Sequence, residues 1–135
     1  MWQRLHLVSS GIRSYRDLKV WKTGMNLVLE SYRLTARFPR NETFGLTSQI
    51  RRAAVSIPAN IAEGHGRLHR GDYLRSLSVA IGSVQELETE VTLARHLGYT
   101  TAGEVLLITQ MADEVGRMLG ALTRRLRRPS LTPNP

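Results

Sequence analysis

No cysteine occurs anywhere in the 135 residues. Disulfide staples, thiolate catalysis and cysteine-based zinc sites are thereby excluded. Aromatic residues are scarce at 6%, too few for a stacking platform along single strands. No stretch approaches the ~20 apolar residues that a membrane-spanning helix needs. The opening MWQRLHLVSSG has two apolar pairs broken by Arg4 and His6, too short and too polar for a secretory leader. A soluble, cytoplasmic chain without membrane contact is expected. Acidic residues are also in short supply: 11 Asp and Glu face 19 Lys and Arg, for a net charge of +8. That balance favours polyanionic partners such as nucleic acid or an acidic membrane surface. Only Lys19 and Lys22 are lysine. GC-biased codon usage gives the same preference for arginine, so the sign of the charge says more than its residue type. The P-loop, G-x-G-x-x-G and G-x-S-x-G motifs are missing, and so is the Glu-x-x-His repeat of di-iron bundles. Neither a cofactor nor an enzymatic activity is expected.

What is present reads as helix. Residues 1–13 lack a clear period and are expected to form a flexible arm; 14–128 form one domain, and 129–135 a disordered tail. Ser14 with Asp17 has the spacing of a capping box, in which each side chain satisfies a backbone N–H. Leu18, Trp21, Met25, Val28, Tyr32 and Thr35 then step by three and four, the seam of a packed helix. Phe38-Pro39 ends it, because proline disfavours helical geometry in the residue before it. A second helix begins near Phe44 and buries Leu46, Ile50, Ala53, Ala54, Ile57 and Ile61. Pro58 lies inside it and predicts a kink near 54–58. Gly64, Gly66 and Gly71 punctuate the connection that follows. The third helix, about 70–97, repeats Tyr73, Leu77, Ala80, Val84, Leu87, Val91 and Ala94, with Gly98 as its C-terminal cap. Thr101 with Glu104 is a second capping box. It opens a fourth helix with Val105, Ile108, Met111, Ala112, Val115, Met118, Leu119, Leu122 and Leu126 on its seam. Gly24, Gly82, Gly116 and Gly120 fall within helices, either at close helix approaches or on tolerant exposed faces. Four amphipathic helices with short connections predict an all-α, antiparallel up-and-down four-helix bundle.

Several clusters along these helices are distinctive. They are Tyr15-Arg16-Asp17-Leu18 with Val20-Trp21, then Phe38-Pro39 with Glu42 and Phe44-Gly45-Leu46. Next come Gln49-Ile50-Arg51-Arg52-Ala53, Ser56-Ile57 and Asn60-Ile61-Ala62-Glu63-Gly64. Ala80, Gly82-Ser83, Glu86-Leu87-Glu88 and Leu97-Gly98-Tyr99 complete the set. Over residues 15–126 the chain resembles the small four-helix-bundle proteins named after the open reading frame in the intervening sequences of bacterial 23S ribosomal RNA genes. The accessory variability proteins of diversity-generating retroelements are relatives of that family. The resemblance implies a homopentameric, barrel-like ring and no established catalytic activity. Its retroelement branch implies partners in nucleic acid and a reverse transcriptase. Pro58 and the arginine-rich end depart from the family's pattern.

The candidate nucleic-acid-binding residues are Arg51, Arg52, Arg67, Arg70 and Arg75, around the second helix and the start of the third, and Arg124, Arg125, Arg127 and Arg128 at the end of the fourth. The arginine fork donates two parallel hydrogen bonds to phosphate. Two separate basic regions are expected, at opposite poles. The alternative is a solvated face with ion pairs, in which Glu86, Glu88 and Glu90 would pair with Arg51 and Arg52. Glu86 and Glu90 stand four apart, and their repulsion invites a basic partner. Gln49, Asn60 and Glu63, with Glu86, are candidates for a structural polar network or a subunit interface. Glu63 is also the only candidate general base. His65 and His69 have a helical zinc spacing, but glycines flank His65, no third ligand is evident, and no metal site is expected. Two functions compete: a homo-oligomer that binds structured RNA or DNA without strong sequence specificity, and a scaffold for an acidic protein partner.

Overall fold

Ser14 and Asp17 do close a reciprocal cap. Ser14 Oγ accepts from the Arg16 N–H at 3.1 Å, and Asp17 Oδ2 accepts from the N–H groups of Arg13 at 2.8 Å and Ser14 at 3.1 Å. The cap opens a 3-10 turn, Tyr15–Asp17, ahead of the first long helix. The computed structural model describes residues 11–128, so 1–10 of the expected arm and the whole expected tail, 129–135, lie outside the described residues. Ile12, at the end of that arm, packs against the core.

Four α-helices follow: α1 (Lys19–Thr35), α2 (Leu46–His65), α3 (Arg70–His96) and α4 (Ala102–Arg127). Among the described residues there is no strand. α1 packs on α2 and α4, and α3 packs on the same two helices from the other side. The result is the predicted four-helix bundle, with neighbours in the order of the chain. The seams predicted for α2 and α3 are buried at every position. In α4, Met111 and Met118 lie at the edge of the core, and the other seam residues lie within it.

The seam of α1 is rotated from its predicted position. The buried face is Val20, Gly24, Leu27, Ser31 and Leu34, with Thr35. Met25 and Tyr32 are 39% and 42% exposed. Periodicity counting favours the bulky residues, but α2 approaches through the small ones. A Cβ on Gly24 would lie 3.6 Å from both Ile57 Cγ2 and Pro58 Cβ, ordinary van der Waals contact, so the Pro58 ring packs against the small-residue face of α1. Ser31, wholly buried, disposes of its hydroxyl by donating to the Leu27 carbonyl at 2.8 Å. Helix α2 is continuous through Pro58 and beyond Gly64, so the connection shortens to residues 66–69.

Both remaining caps form as predicted. Gly98 takes φ +81°, and the N–H groups of Tyr99 and Gly98 return to the carbonyls of Ala94 at 3.0 Å and Arg95 at 2.9 Å. This double closure satisfies the last carbonyls of α3. Thr101 Oγ1 accepts from the Glu104 N–H at 3.2 Å at the start of α4. The same end of the bundle is held by Glu42. Its Oε1 accepts from the Leu46 N–H at 3.1 Å, and its Oε2 accepts from the Tyr99 hydroxyl at 2.9 Å. An ion pair between Arg37 and Glu104 joins the end of α1 to the start of α4.

Candidate nucleic-acid interface

In an antiparallel bundle α2 and α4 run the same way, so their C-termini share a pole with the N-termini of α1 and α3. The expectation of two basic regions at opposite poles therefore fails. Arg67 and Arg70 in and after the α2–α3 connection, Arg75 in the second turn of α3, and Arg124, Arg125, Arg127 and Arg128 at the end of α4 gather at one end. Burial pushes the Tyr73 phenol up to about 12, and the nearby Arg125 charge opposes that rise. Arg125 is thus within electrostatic reach of the first turn of α3. All seven guanidinium-bearing residues are exposed.

Two of the seven are engaged within their own helical segments. Arg67 pairs with Glu63, and Arg75 Nη1 lies 3.0 Å from Asp72 Oδ1. Both pairs are solvent-exposed, where such contacts are worth about 0–1 kcal/mol and are readily exchanged for phosphate. Arg70, Arg124, Arg125, Arg127 and Arg128 form no ion pair among the described residues. Sequence reading overlooked three further cations at this pole: Arg13, Arg16 and Lys19, all exposed around the start of α1. Their signal was available, since up-and-down topology fixes which termini meet.

Arg51 and Arg52 lie apart from this pole, in the N-terminal half of α2. The alternative pairing with Glu86, Glu88 or Glu90 does not form among the described residues. Arg51 Nε instead donates to Thr35 Oγ1 at 2.8 Å, and its guanidinium carbon stands 4.4 Å from the centre of the Tyr32 ring. Arg52 is exposed and borders one cleft with Glu86 and Gln49.

The polar residues of α2 and α3 divide between two arrangements. Asn60 Nδ2 donates to the Ser56 carbonyl at 2.8 Å and to Ser56 Oγ at 3.0 Å, and the Ser56 and Ser83 hydroxyls share a 2.8 Å hydrogen bond. This network crosses from α2 to α3 and reads as a register device. Ser56 and Ser83 were absent from the expected polar network, although both fall in the clusters that carry the family resemblance. Glu63 is outside the network, held by Arg67 at the rim of a cleft of about 290 Å³ that Asn60 and Asp72 also line. Gln49 is exposed. His65 is buried edge-on to Tyr73, ring centres 5.9 Å apart, while His69 precedes α3. Among the described residues no group of three or more His, Asp or Glu side chains is placed to hold a metal ion, and no helix is long and apolar enough to cross a membrane.

A search of curated proteins finds no match. Among solved structures, a protein with unknown function from the S23 ribosomal protein family of Bacteroides thetaiotaomicron VPI-5482 superposes with a TM-score of 0.70 at 22% identity, over 78% of this chain and 98% of that one. At that identity the likeness shows the fold. The sequence profile described as 23S rRNA-intervening sequence protein matches residues 16–121, from the turn before α1 almost to the end of α4. With that span covered and its bundle in place, the chain belongs to the 23S rRNA-intervening sequence protein family.

Proposed function

We propose that this chain is a non-enzymatic, cytoplasmic nucleic-acid-binding protein that works as a homo-oligomeric ring of five subunits. Its basic pole lies on the phosphates of structured RNA or duplex DNA without strong sequence preference. One observation carries the reading: two arginine clusters distant in sequence converge on one end of the bundle, and five of these side chains are unengaged by any described carboxylate. Oriented forks of this kind suit phosphate oxygens, which carry no sequence information. A ring repeats the surface, and repetition turns weak contacts into useful avidity. Exposed apolar residues on several helices, Leu29, Leu93, Leu97, Leu106 and Leu107 among them, support self-association. Engagement of Glu63 by Arg67 disfavours it as a free general base.

The test is a mobility shift with structured RNA and duplex DNA across a salt series, paired with a light-scattering mass. Affinity should fall with salt at a log–log slope of about −0.9 per phosphate neutralised on duplex DNA. Replacing Arg124, Arg125, Arg127 and Arg128 together with glutamine should weaken binding and flatten that slope. No shift even at low salt would reject the reading. The alternative in that event is a scaffold for an acidic protein such as the reverse transcriptase partner of the accessory variability proteins.

A further inference from the structure

We propose that the groove between the C-terminal half of α1 and the N-terminal half of α2 seats an unpaired nucleotide, so that the protein prefers looped or single-stranded nucleic acid to plain duplex. This rests on the nucleic-acid reading above and adds a second contact, in the half of the bundle away from the basic pole. The groove has a volume of about 620 Å³, and Tyr32, Phe44, Ser48, Arg51 and Arg52 border it. Phe44 is 97% exposed, an aromatic ring held in water at the mouth of a groove. Arg51 is fixed in place by its hydrogen bond to Thr35 Oγ1 and by the Tyr32 ring beneath it. Its terminal nitrogens make no hydrogen bond among the described residues. Arg52 stands beside it, exposed and without an ion pair.

Two flat surfaces therefore border one space: the Phe44 ring, and the Arg51 guanidinium layered on the Tyr32 ring. Unstacked bases are held on aromatic rings and guanidinium planes of this kind. The two cations and the Ser48 hydroxyl suit the phosphate and sugar that come with the base. No carboxylate lines the groove. A purely apolar peptide seated there would strip water from two uncompensated charges, whereas a nucleotide brings its own anion. The scarcity of aromatics excludes a long stacking platform but not a single stacking step.

The test uses the full chain, at low salt, with two labelled RNAs of equal length: a hairpin with a wide unpaired loop and a blunt duplex. Phe44→Ala and Arg52→Gln alter exposed side chains and should leave the fold intact. Phe44→Ala should weaken hairpin binding by roughly fivefold or more while leaving duplex binding unchanged, given the usual size of a base–aromatic stack, and Arg52→Gln should weaken hairpin binding more than duplex binding. Equal losses on both RNAs, or no loss on either, would overturn the groove while leaving the basic pole standing. A fall in particle mass for Phe44→Ala with hairpin preference unaltered would also overturn it and make the groove a protein interface. If the unaltered chain binds neither RNA, the nucleic-acid reading fails first and the groove falls with it.

Discussion

Gly64 in α2 and Ser76 in α3 meet so closely that a Cβ on Gly64 would stand 2.8 Å from the Ser76 Cβ and 2.9 Å from Tyr73 Cδ1. The approach brings the end of α2 against the start of α3, beside the basic pole. Gly64→Ala must push the two helices apart, and overpacking of this kind costs about 1–3 kcal/mol. Gly82→Ala is the matched control, with nothing within 4 Å of its added carbon. It should stabilise by up to about 1 kcal/mol, the helix-propensity difference. Urea or thermal unfolding of the two variants should shift in opposite directions, and a stabilised Gly64→Ala would refute the close approach.

Glu42 ties two turns together, and its ionisation is part of the tie. Its carboxyl is held below the ordinary value of 4.5, first by the Leu46 N–H and then by the Tyr99 hydroxyl. A depressed folded pKa contributes stability that is present above the ordinary value and lost as the pH falls through the folded one. Glu42→Gln should therefore unfold earlier than the unaltered chain at neutral pH, with the gap closing as the pH falls below the ordinary value of 4.5. Melting temperatures measured through that range check it, and a gap that persists in acid would contradict it.

Glu90 has the opposite sign. It is buried on α3, and burial raises its carboxyl to about 7, helped by the charge of Glu86 one turn earlier. Between its ordinary value of 4.5 and about 7 the folded chain holds a proton that the unfolded chain has released. Stability from this group is complete below the ordinary value and declines as the pH rises through that window. Glu90→Gln keeps the neutral form at all pH values. It should stabilise at pH 8 by on the order of 1–2 kcal/mol, allowing for water near the carboxyl, and have little effect at about pH 4. Equal effects at the two pH values would rule this out.

Much of the architecture was legible because helical seams are local. Ile50, Ile57 and Ile61 in α2, and Leu77, Leu87 and Val91 in α3, announce their inward face by spacing alone. Gly98 and Thr101 mark helix ends by conformational cost and side-chain reach, again within a few residues. The seam of α1 was misread because two stripes run side by side there. Spacing cannot say whether the small stripe, Gly24 and Ser31, or the bulky one, Met25 and Tyr32, faces inward. The partner helix decides, and Ile57 and Pro58 of α2 lie against the small one at Gly24.

The candidate site was legible as a list of arginines and not as a surface. Arg67, Arg70 and Arg75 were read as a cluster apart from Arg124, Arg125, Arg127 and Arg128. The direction of α4 joins them and brings in Arg13, Arg16 and Lys19. Arg51 was read as a phosphate contact, with a carboxylate on α3 as the alternative partner, and it reaches Thr35 and Tyr32 on α1.

By itself, the sequence determined that this chain is a bundle of four capped helices carrying a surplus of positive charge, because period, caps and net charge depend on neighbours along the chain. Which stripe of α1 is buried, which arginines share a pole and which aromatic rings remain in water were decided only by the tertiary structure. Those outcomes depend on the packing of one helix against another, where small residues set how closely the backbones approach.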